Sequence, residues 1–166
     1  LKLPPTRDLG YFALLGFLGI TFHQWLQSTG LQTAQATTTA WIVATTPIFI
    51  ALLGWLVLKE RLRWVQILGI LAATVGVVLV VTRGDLVALS SGSFGAPGDL
   101  LVMLSAPNWA VFTILSRRGL RKFSATLMMF YVMGLGWLFS TLLLLAGPGF
   151  SEITRLSLPG WLGVGF

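Results

Sequence analysis

The sequence predicts an all-α integral membrane protein, and three observations lead to that fold class. Hydrophobic residues make up 55% of the 166 residues, charged residues make up 10%, and the mean hydropathy is +0.87. A soluble domain carries about 25% charged residues. Residues 38–58 form a run of 21 residues without a charge, and about 20 apolar residues cross the ~30 Å core of a bilayer as a helix. Several other segments have the same character.

Six apolar segments separated by polar connections define the predicted helices. They are residues 9–26, 38–58, 64–82, 99–116, 124–146 and a segment that opens at Pro159. Pro47 predicts a kink in the second segment, Ser124 is a suitable N-cap for the fifth, and the Gly/Ser/Pro-rich stretch 83–98 is the best linker. The chain starts with Leu1 and ends within an apolar segment. We therefore expect a fragment of a longer protein, with about five complete transmembrane helices and the start of another.

The charged residues predict the orientation of these helices. If every segment spans the membrane, nine cations fall on one side and two, Arg83 and Arg155, on the other. The nine are Lys2, Arg7, Lys59, Arg61, Arg63, Arg117, Arg118, Arg121 and Lys122. Cytoplasmic loops carry an excess of Lys and Arg, so we expect loops 1–8, 59–63 and 117–123 to lie on the cytoplasmic side of the cell (inner) membrane. The net charge of +6 is therefore explained by the orientation of the chain in the lipid bilayer. No nucleic-acid partner is expected.

Small residues predict where the helices approach each other, since lipid provides no hydrophobic drive between helices and close contact needs small side chains. Three segments carry such residues at spacings of three and four. They are Ala13, Gly16 and Gly19 in the first segment, Ala40, Ala44, Pro47, Ala51 and Gly54 in the second, and Gly69, Ala73 and Gly76, with Ala72 beside them, in the third. We expect each set to form a packing surface.

Several classes of chemistry have no support in the sequence. The absence of cysteine and the single histidine argue against disulfides and metal sites, and neither a cofactor nor a catalytic arrangement is expected. The five acidic residues fall at helix ends or in loops, and they are Asp8, Glu60, Asp85, Asp99 and Glu152. A charge at the membrane midplane usually marks a coupling site, and we expect no buried acid here. The protein is therefore predicted not to be an enzyme.

Uncharged polar and aromatic residues remain as candidates for a substrate cavity. His23, Gln24 and Gln27 lie near the end of the first segment, and helical spacing places His23 and Gln27 on its glycine face. They either face a water-filled cavity, or lie near the outer interface and are solvated or bonded to a neighbouring helix. Histidine is the one side chain in the chain that ordinarily titrates near pH 7.

The second segment has a polar face of its own. Thr38, Trp41 and Thr45 share this face at spacings of three and four, beside the predicted kink. Threonine hydroxyls in helices often bond their own backbone, so the face has either a structural role or a place in the cavity.

The fourth and fifth segments supply the remaining candidates. Ser105, Asn108 and Trp109 share a face with Phe112. A mid-membrane Asn exposed to lipid is costly, so Asn108 is expected to point inward, either as a link between helices or toward a solute. Trp109 offers an apolar or cation–π wall. Tyr131 in the fifth segment is a further cavity candidate.

A family resemblance covers nearly the whole chain. It is carried by Ala34, the run Ala40–Pro47, Lys59-Glu60-Arg61, Gln66-Ile67-Leu68-Gly69, Gly76-Val77, Gly98-Asp99-Leu100-Leu101, Asn108-Trp109-Ala110 and Ser116-Arg117-Arg118. These motifs resemble the EamA family of the drug/metabolite transporter superfamily. The resemblance implies a ten-helix fold of two inverted five-helix repeats. Residues 1–83 would then hold helices 3–5, residues 84–98 a periplasmic connector, and residues 99–166 helices 6–8.

The resemblance also implies a function. It indicates a secondary transporter that exports small metabolites or drug-like compounds by alternating access, with coupling to a proton gradient or to exchange. Two other functions stay open at this point, a membrane-embedded transferase and an assembly subunit that does not transport. A transferase would need a concentrated polar motif at one interface, and the sequence has none. The sequence does not indicate an oligomeric state.

Overall fold

The computed structural model describes residues 6–59, 63–81, 84 and 95–147 of the chain, and the regular structure in these ranges is helical. The helices are α1 (Thr6–Gly16), α2 (His23–Leu31), α3 (Ala36–Ala44), α4 (Thr46–Leu58), α5 (Trp64–Val81), α6 (Pro97–Leu120) and α7 (Ala125–Ala146). A π-helical segment, Phe17–Phe22, joins α1 to α2. The prediction of an all-α fold is confirmed, while the predicted sixth segment lies outside the described residues.

Four helical stretches in the described residues are long and apolar enough to cross a membrane, judged by length and composition alone. They are Asp8–Leu31, Thr38–Leu58, Pro97–Leu120 and Ala125–Ala146. The apolar α5 is shorter, with 18 residues, or about 27 Å at a rise of ~1.5 Å per residue. The chain is thus a multi-pass membrane protein, as the sequence predicts. The first and third of these stretches extend beyond the predicted bounds of 9–26 and 99–116.

The first span packs against α7 through a close contact between backbones. A Cβ atom at Gly16 would lie 2.8 Å from main-chain atoms of both Gly136 and Val132, so this approach requires glycine. Gly19 packs in the same way against the ring of Phe112 on α6. The buried apolar cluster between α1 and α7 consists of Phe12, Leu15, Met128 and Val132. The predicted packing role of the two glycines of the first segment is confirmed.

The second span is broken at Thr45, between α3 and α4. Pro47 lacks the N–H that would bond the carbonyl of Val43, and the hydroxyl of Thr46 donates to this carbonyl instead, at 2.6 Å. The hydroxyl of Thr45 donates to the carbonyl of Ile42, also at 2.6 Å. The predicted kink is therefore confirmed, and both hydroxyls satisfy backbone groups at the break.

The α6 helix contacts α2, α3 and α4 and is central to the described bundle. It begins at Pro97, where a missing N–H has no cost, and the Asp99 carboxylate accepts a hydrogen bond from the Ala96 N–H at 2.9 Å. Asp99 is only 1% exposed, and its other oxygen, Oδ1, is buried without a hydrogen-bond partner. The expectation that no acid is buried was wrong. The reason is that the start of α6 is covered by the last turn of α2 and the turn that follows it, where Gly98 lies against the Gly30 carbonyl and the Ala34 main chain.

Two of the predicted packing surfaces are used only in part within the described residues. The α3 helix turns Ile42 toward α6, where it is fully buried against Val102, and this leaves the opposite side of α3 uncovered. A helix presents one face to one partner, and here the larger apolar side chain takes that face. The exposed members of the predicted surfaces are Ala40, Ala44 and Pro47 in the second span and Gly69, Ala72 and Gly76 in α5. Gly54 is buried, as expected.

The end of α6 is tied to the start of α1. Lys122 forms an ion pair with Asp8 at 2.8 Å, and the hydroxyl of Tyr11 donates to the carbonyl of Leu115. Residues 8 and 122, which the charge pattern assigns to one side of the membrane, thus lie at one end of the bundle. Ser124 then caps α7 by accepting a hydrogen bond from the Leu127 N–H at 3.4 Å, as predicted.

Candidate functional site

A row of aromatic rings lies where α2 meets α6. His23 is the first residue of α2, directly after the π-helical segment, and its ring centroid is 4.7 Å from that of Trp109, with the planes tilted by 43°. Trp109 in turn lies 5.0 Å from Phe112. The His23 and Trp109 side chains are half-buried, so part of each ring is exposed at the surface of the bundle.

The imidazole of His23 has polar capacity that the protein uses only weakly. Its Nδ1 atom is buried without a well-formed hydrogen bond, and the main chain of Ser105 is the group that lies within hydrogen-bonding reach of the ring. A buried polar atom without a good partner costs about 1–3 kcal/mol, so such an atom in a native site calls for an explanation. Because Nδ1 is buried, a solute could bond it only after a local movement of α2 against α6.

One helical turn beyond His23, a weak polar contact continues the site. The Gln27 amide donates to the Ser105 hydroxyl at 3.5 Å, the long limit for a hydrogen bond. The Ser105 hydroxyl, which is fully buried, donates to the carbonyl of Val102 at 2.7 Å. Ser105 is therefore held by its own helix, whereas the Gln27 amide is loosely held. Gln24 lies on the exposed side of α2.

Asn108 has a defined structural contact. Its side-chain amide donates to the carbonyl of Leu18, in the π-helical segment, at 2.8 Å. A π-helical turn breaks the regular ladder of i→i−4 bonds, and Asn108 supplies a donor to one of its carbonyls. This contact favours the interpretation of Asn108 as a link between helices, and a role toward a solute stays a prediction.

The threonine face of the second span lies against α6. Thr38 is 8% exposed and Thr45 is 7% exposed, so both are packed between helices. The Thr45 hydroxyl proton is used by the Ile42 carbonyl, which favours its structural interpretation. The side chain of Trp41 lies outside the described residues.

Tyr131 lies apart from the other candidates. Its ring stacks on Phe12 with centroids 5.3 Å apart and planes 13° from parallel, and it packs at the edge of the apolar cluster between α1 and α7. The structure therefore brings together His23, Gln27, Ser105, Asn108 and Trp109 at the α2–α6 contact, and it separates Tyr131 from them.

Sequence reasoning missed a second polar link inside the bundle. The hydroxyl of Thr21 donates to the carbonyl of Gly136 at 3.0 Å, and the hydroxyl of Ser140 donates to Thr21 at 3.3 Å. Thr39, whose hydroxyl oxygen is buried without a partner, was also missed. Their polarity within apolar segments was the available signal, since polar groups in a membrane segment face other helices.

The contact between α2 and α6 offers a limited set of chemical groups. It offers an imidazole nitrogen, a loosely held amide and an indole face, and none of these groups carries a permanent charge. No group of three or more His, Asp or Glu side chains that could hold a metal gathers in the described ranges.

The comparison with protein families identifies the family of this chain. Residues 1–82 match the model of the EamA-like transporter family. The chain belongs to the EamA-like transporter family. The resemblance predicted from the sequence motifs is thereby confirmed, and this EamA chain is a multi-helix membrane protein of a transporter family.

Curated relatives of this EamA chain are named as transporters. It is 30% identical over 125 residues to "Uncharacterized transporter YdfC" of Bacillus subtilis, which is 74% of the chain and 39% of the relative. It is 29% identical over 139 residues to an "Uncharacterized transporter" of Archaeoglobus fulgidus, covering 84% and 47%. A "Probable terminal-alkyne amino-acid exporter" of Streptantibioticus cattleyicolor is 34% identical over 83 residues, covering 50% and 28%. The chain thus spans less than half the length of these relatives, and no solved structure matches it.

Proposed function

We propose that this EamA chain is part of a secondary transporter for small organic solutes and that the contact between α2 and α6 opens into a cleft that lines the solute pathway. The observation that carries the proposal is His23, which lies against Trp109 with a buried Nδ1 that lacks a well-formed hydrogen bond. When α2 and α6 move apart, a solute with an N–H or O–H donor and an apolar body would satisfy the nitrogen and contact the indole face.

The cleft is also placed where a rocking motion would change its width. Its two walls are α2, on the first span, and α6. In the proposed division, α2 belongs to the first repeat (residues 1–83) and α6 belongs to the second (residues 99–166), with residues 84–98 as the connector. Movement of one repeat against the other would open the cleft to alternate sides of the membrane. The break at Thr45 provides a bend in the neighbouring span, which is a common feature of transporter helices.

The direction and the membrane sides follow from charge and from one relative. The Asp8–Lys122 ion pair supports a common location of loops 1–8 and 117–123, and the excess of cations there favours the cytoplasmic side. One relative is named an amino-acid exporter, so we propose export of a small amphipathic metabolite across the inner membrane. Energy would come from a proton gradient or from exchange with a second solute.

Reconstitution tests this function. The full-length protein is placed in liposomes that contain a panel of radiolabelled amino acids and amphipathic drugs, and release of each compound is measured with and without a pH gradient. We expect release of at least one compound above that of protein-free liposomes. If no compound moves under any condition while the protein is correctly folded and inserted, the proposal is wrong.

A further inference from the structure

A groove runs between α4 and α5 on the outside of the described bundle, away from the α2–α6 cleft. Its volume is about 310 Å³, and it is lined by Leu52, Trp55, Ile67, Ile70 and Leu71. All five side chains are apolar or aromatic, and Trp55 and Leu71 are about half exposed, at 48% and 57%. The groove therefore suits a hydrocarbon chain and offers little to a polar solute.

Two cations mark one end of this groove. Lys59 ends α4, one turn after Trp55, and Arg63 precedes α5, one turn before Ile67. Both are exposed. They are four positions apart in the sequence, so their Cα atoms are at most about 14 Å apart. Because α4 and α5 leave from this connection, both cations lie at the same end of the groove.

The length of the groove fits one leaflet. Leu52 lies seven residues before Lys59, and Leu71 lies eight residues after Arg63, which is about 10–12 Å at a rise of ~1.5 Å per residue. Half of a ~30 Å hydrocarbon core is about 15 Å. The groove thus reaches from the charged end through most of one leaflet.

The backbone holds Lys59 at this end. Lys59 adopts the left-handed conformation with φ of 56°, which is uncommon for a residue other than glycine, and its N–H bonds the Gly54 carbonyl. This ending fixes where the side chain leaves α4. Arg63 is fixed in a similar way, since its N–H donates to the Gln66 side chain at 2.7 Å.

We propose that the α4–α5 groove binds one anionic glycerophospholipid, with an acyl chain in the groove and the phosphate group at Lys59 and Arg63. The apolar lining matches the chain, and the two cations match the negative headgroup. This site is separate from the proposed solute pathway, so the lipid proposal can be tested without knowing the transported compound.

Brominated lipids test the site, because bromine on an acyl chain quenches a tryptophan that it touches. The full-length protein is placed in phosphatidylcholine nanodiscs that contain a small fraction of either brominated phosphatidylglycerol or brominated phosphatidylcholine. The quenching of Trp55 is obtained as the difference between the parent protein and the Trp55→Phe variant. We expect the anionic lipid to quench Trp55 several times more strongly than the zwitterionic lipid at equal fraction.

Charge variants show whether the cations cause the preference. Lys59→Asn keeps a residue that tolerates the left-handed conformation, and Arg63→Gln keeps a long polar side chain. Each is expected to lower the preference for the anionic lipid about fivefold, since a cation near an anionic headgroup contributes about 1 kcal/mol. The matched control is Arg121→Gln, an exposed cation at the end of α6, which should leave the preference unchanged.

Three results would overturn the proposal. Equal quenching by the two lipids would show that the headgroup is not recognised. An undiminished preference in the Lys59→Asn, Arg63→Gln double variant would exclude these cations as the cause. Protection of Trp55 from both lipids would show that another protein segment covers the groove.

Discussion

The side-chain amide of Asn108 on α6 bonds the main-chain carbonyl of Leu18 at 2.8 Å, inside the π-helical segment that precedes His23. This bond joins two spans that are 90 residues apart in sequence. It also fixes the local geometry of the helix just before the aromatic row. The position of His23 over Trp109 therefore depends on a contact that neither residue makes.

We predict that Asn108→Ala destabilises the protein by about 0.5–2 kcal/mol, the range for a polar contact between membrane helices. Unfolding in detergent micelles, followed by circular dichroism, measures the loss. The control is Thr113→Ala on the same helix, since the Thr113 hydroxyl bonds its own backbone at Trp109. A loss for Asn108→Ala no greater than for Thr113→Ala would contradict the proposed link.

Two glycines of α7, one closely packed and one in open space, allow the effect of overpacking to be measured separately from the effect of helix propensity. A Cβ at Gly136 would lie 2.6 Å from Ile20, whereas a Cβ at Gly134 would meet no atom within 4 Å. We expect Gly136→Ala to lower the free energy of unfolding by about 1–3 kcal/mol through overpacking. Gly134→Ala should be neutral or stabilising, because alanine favours the helix by up to about 1 kcal/mol. Equal effects in the same unfolding assay would show that α1 and α7 are not in close contact.

Asp99 is expected to act as a cap for α6. Its Oδ2 accepts the Ala96 N–H at 2.9 Å while Oδ1 lacks a partner. Asp99→Ala removes the acceptor and should cost about 1 kcal/mol, whereas Asp99→Asn keeps an acceptor oxygen and should cost less. Thermal unfolding of the two variants checks this order. Equal losses for the two variants would mean that the charge, and not the cap, is the important feature, because both variants remove the charge and only Asp99→Asn keeps an acceptor.

Engineered cysteines test the membrane sides that the charge pattern predicts. Arg118→Cys lies in the predicted cytoplasmic loop and Gly92→Cys in the predicted periplasmic connector. In a cysteine-free background, a membrane-impermeant maleimide added to intact cells should label position 92 and should label position 118 only after the membrane is opened. Labelling in the reverse order would invert the proposed orientation.

The sequence was sufficient for the fold class because length, hydropathy and charge act locally. The kink at Pro47, the cap at Ser124 and the packing of Gly16 follow from single residues and were all predicted. The burial of Asp99 was not, because it depends on a turn from a distant part of the chain that covers the start of α6. The exposure of the alanine face of α3 within the described residues was not predicted for the same reason, since Ile42 takes the surface of α6 that faces α3.

The site could be predicted by residue type but not by arrangement. Helical spacing selected His23, Gln27, Ser105 and Trp109, yet it gave no information on which two spans meet. Helical spacing assumes 3.6 residues per turn, and the π-helical segment Phe17–Phe22 departs from that value. This departure changes the direction in which His23 leaves the helix.

The transport role of the aromatic row can be tested with a pair of tryptophans. Trp109 is half-buried against His23, whereas Trp137 is 68% exposed on α7. In the full-length protein we expect Trp109→Ala to lower the rate of release of a transported compound about tenfold, equivalent to roughly 1.4 kcal/mol of lost binding. Trp109→Phe, which keeps a ring, should retain more of the rate. Trp137→Ala should leave the rate unchanged, and variants must reach the membrane in equal amounts. A rate for Trp109→Ala equal to that for Trp137→Ala would place the solute pathway outside the α2–α6 cleft, even if transport itself is observed.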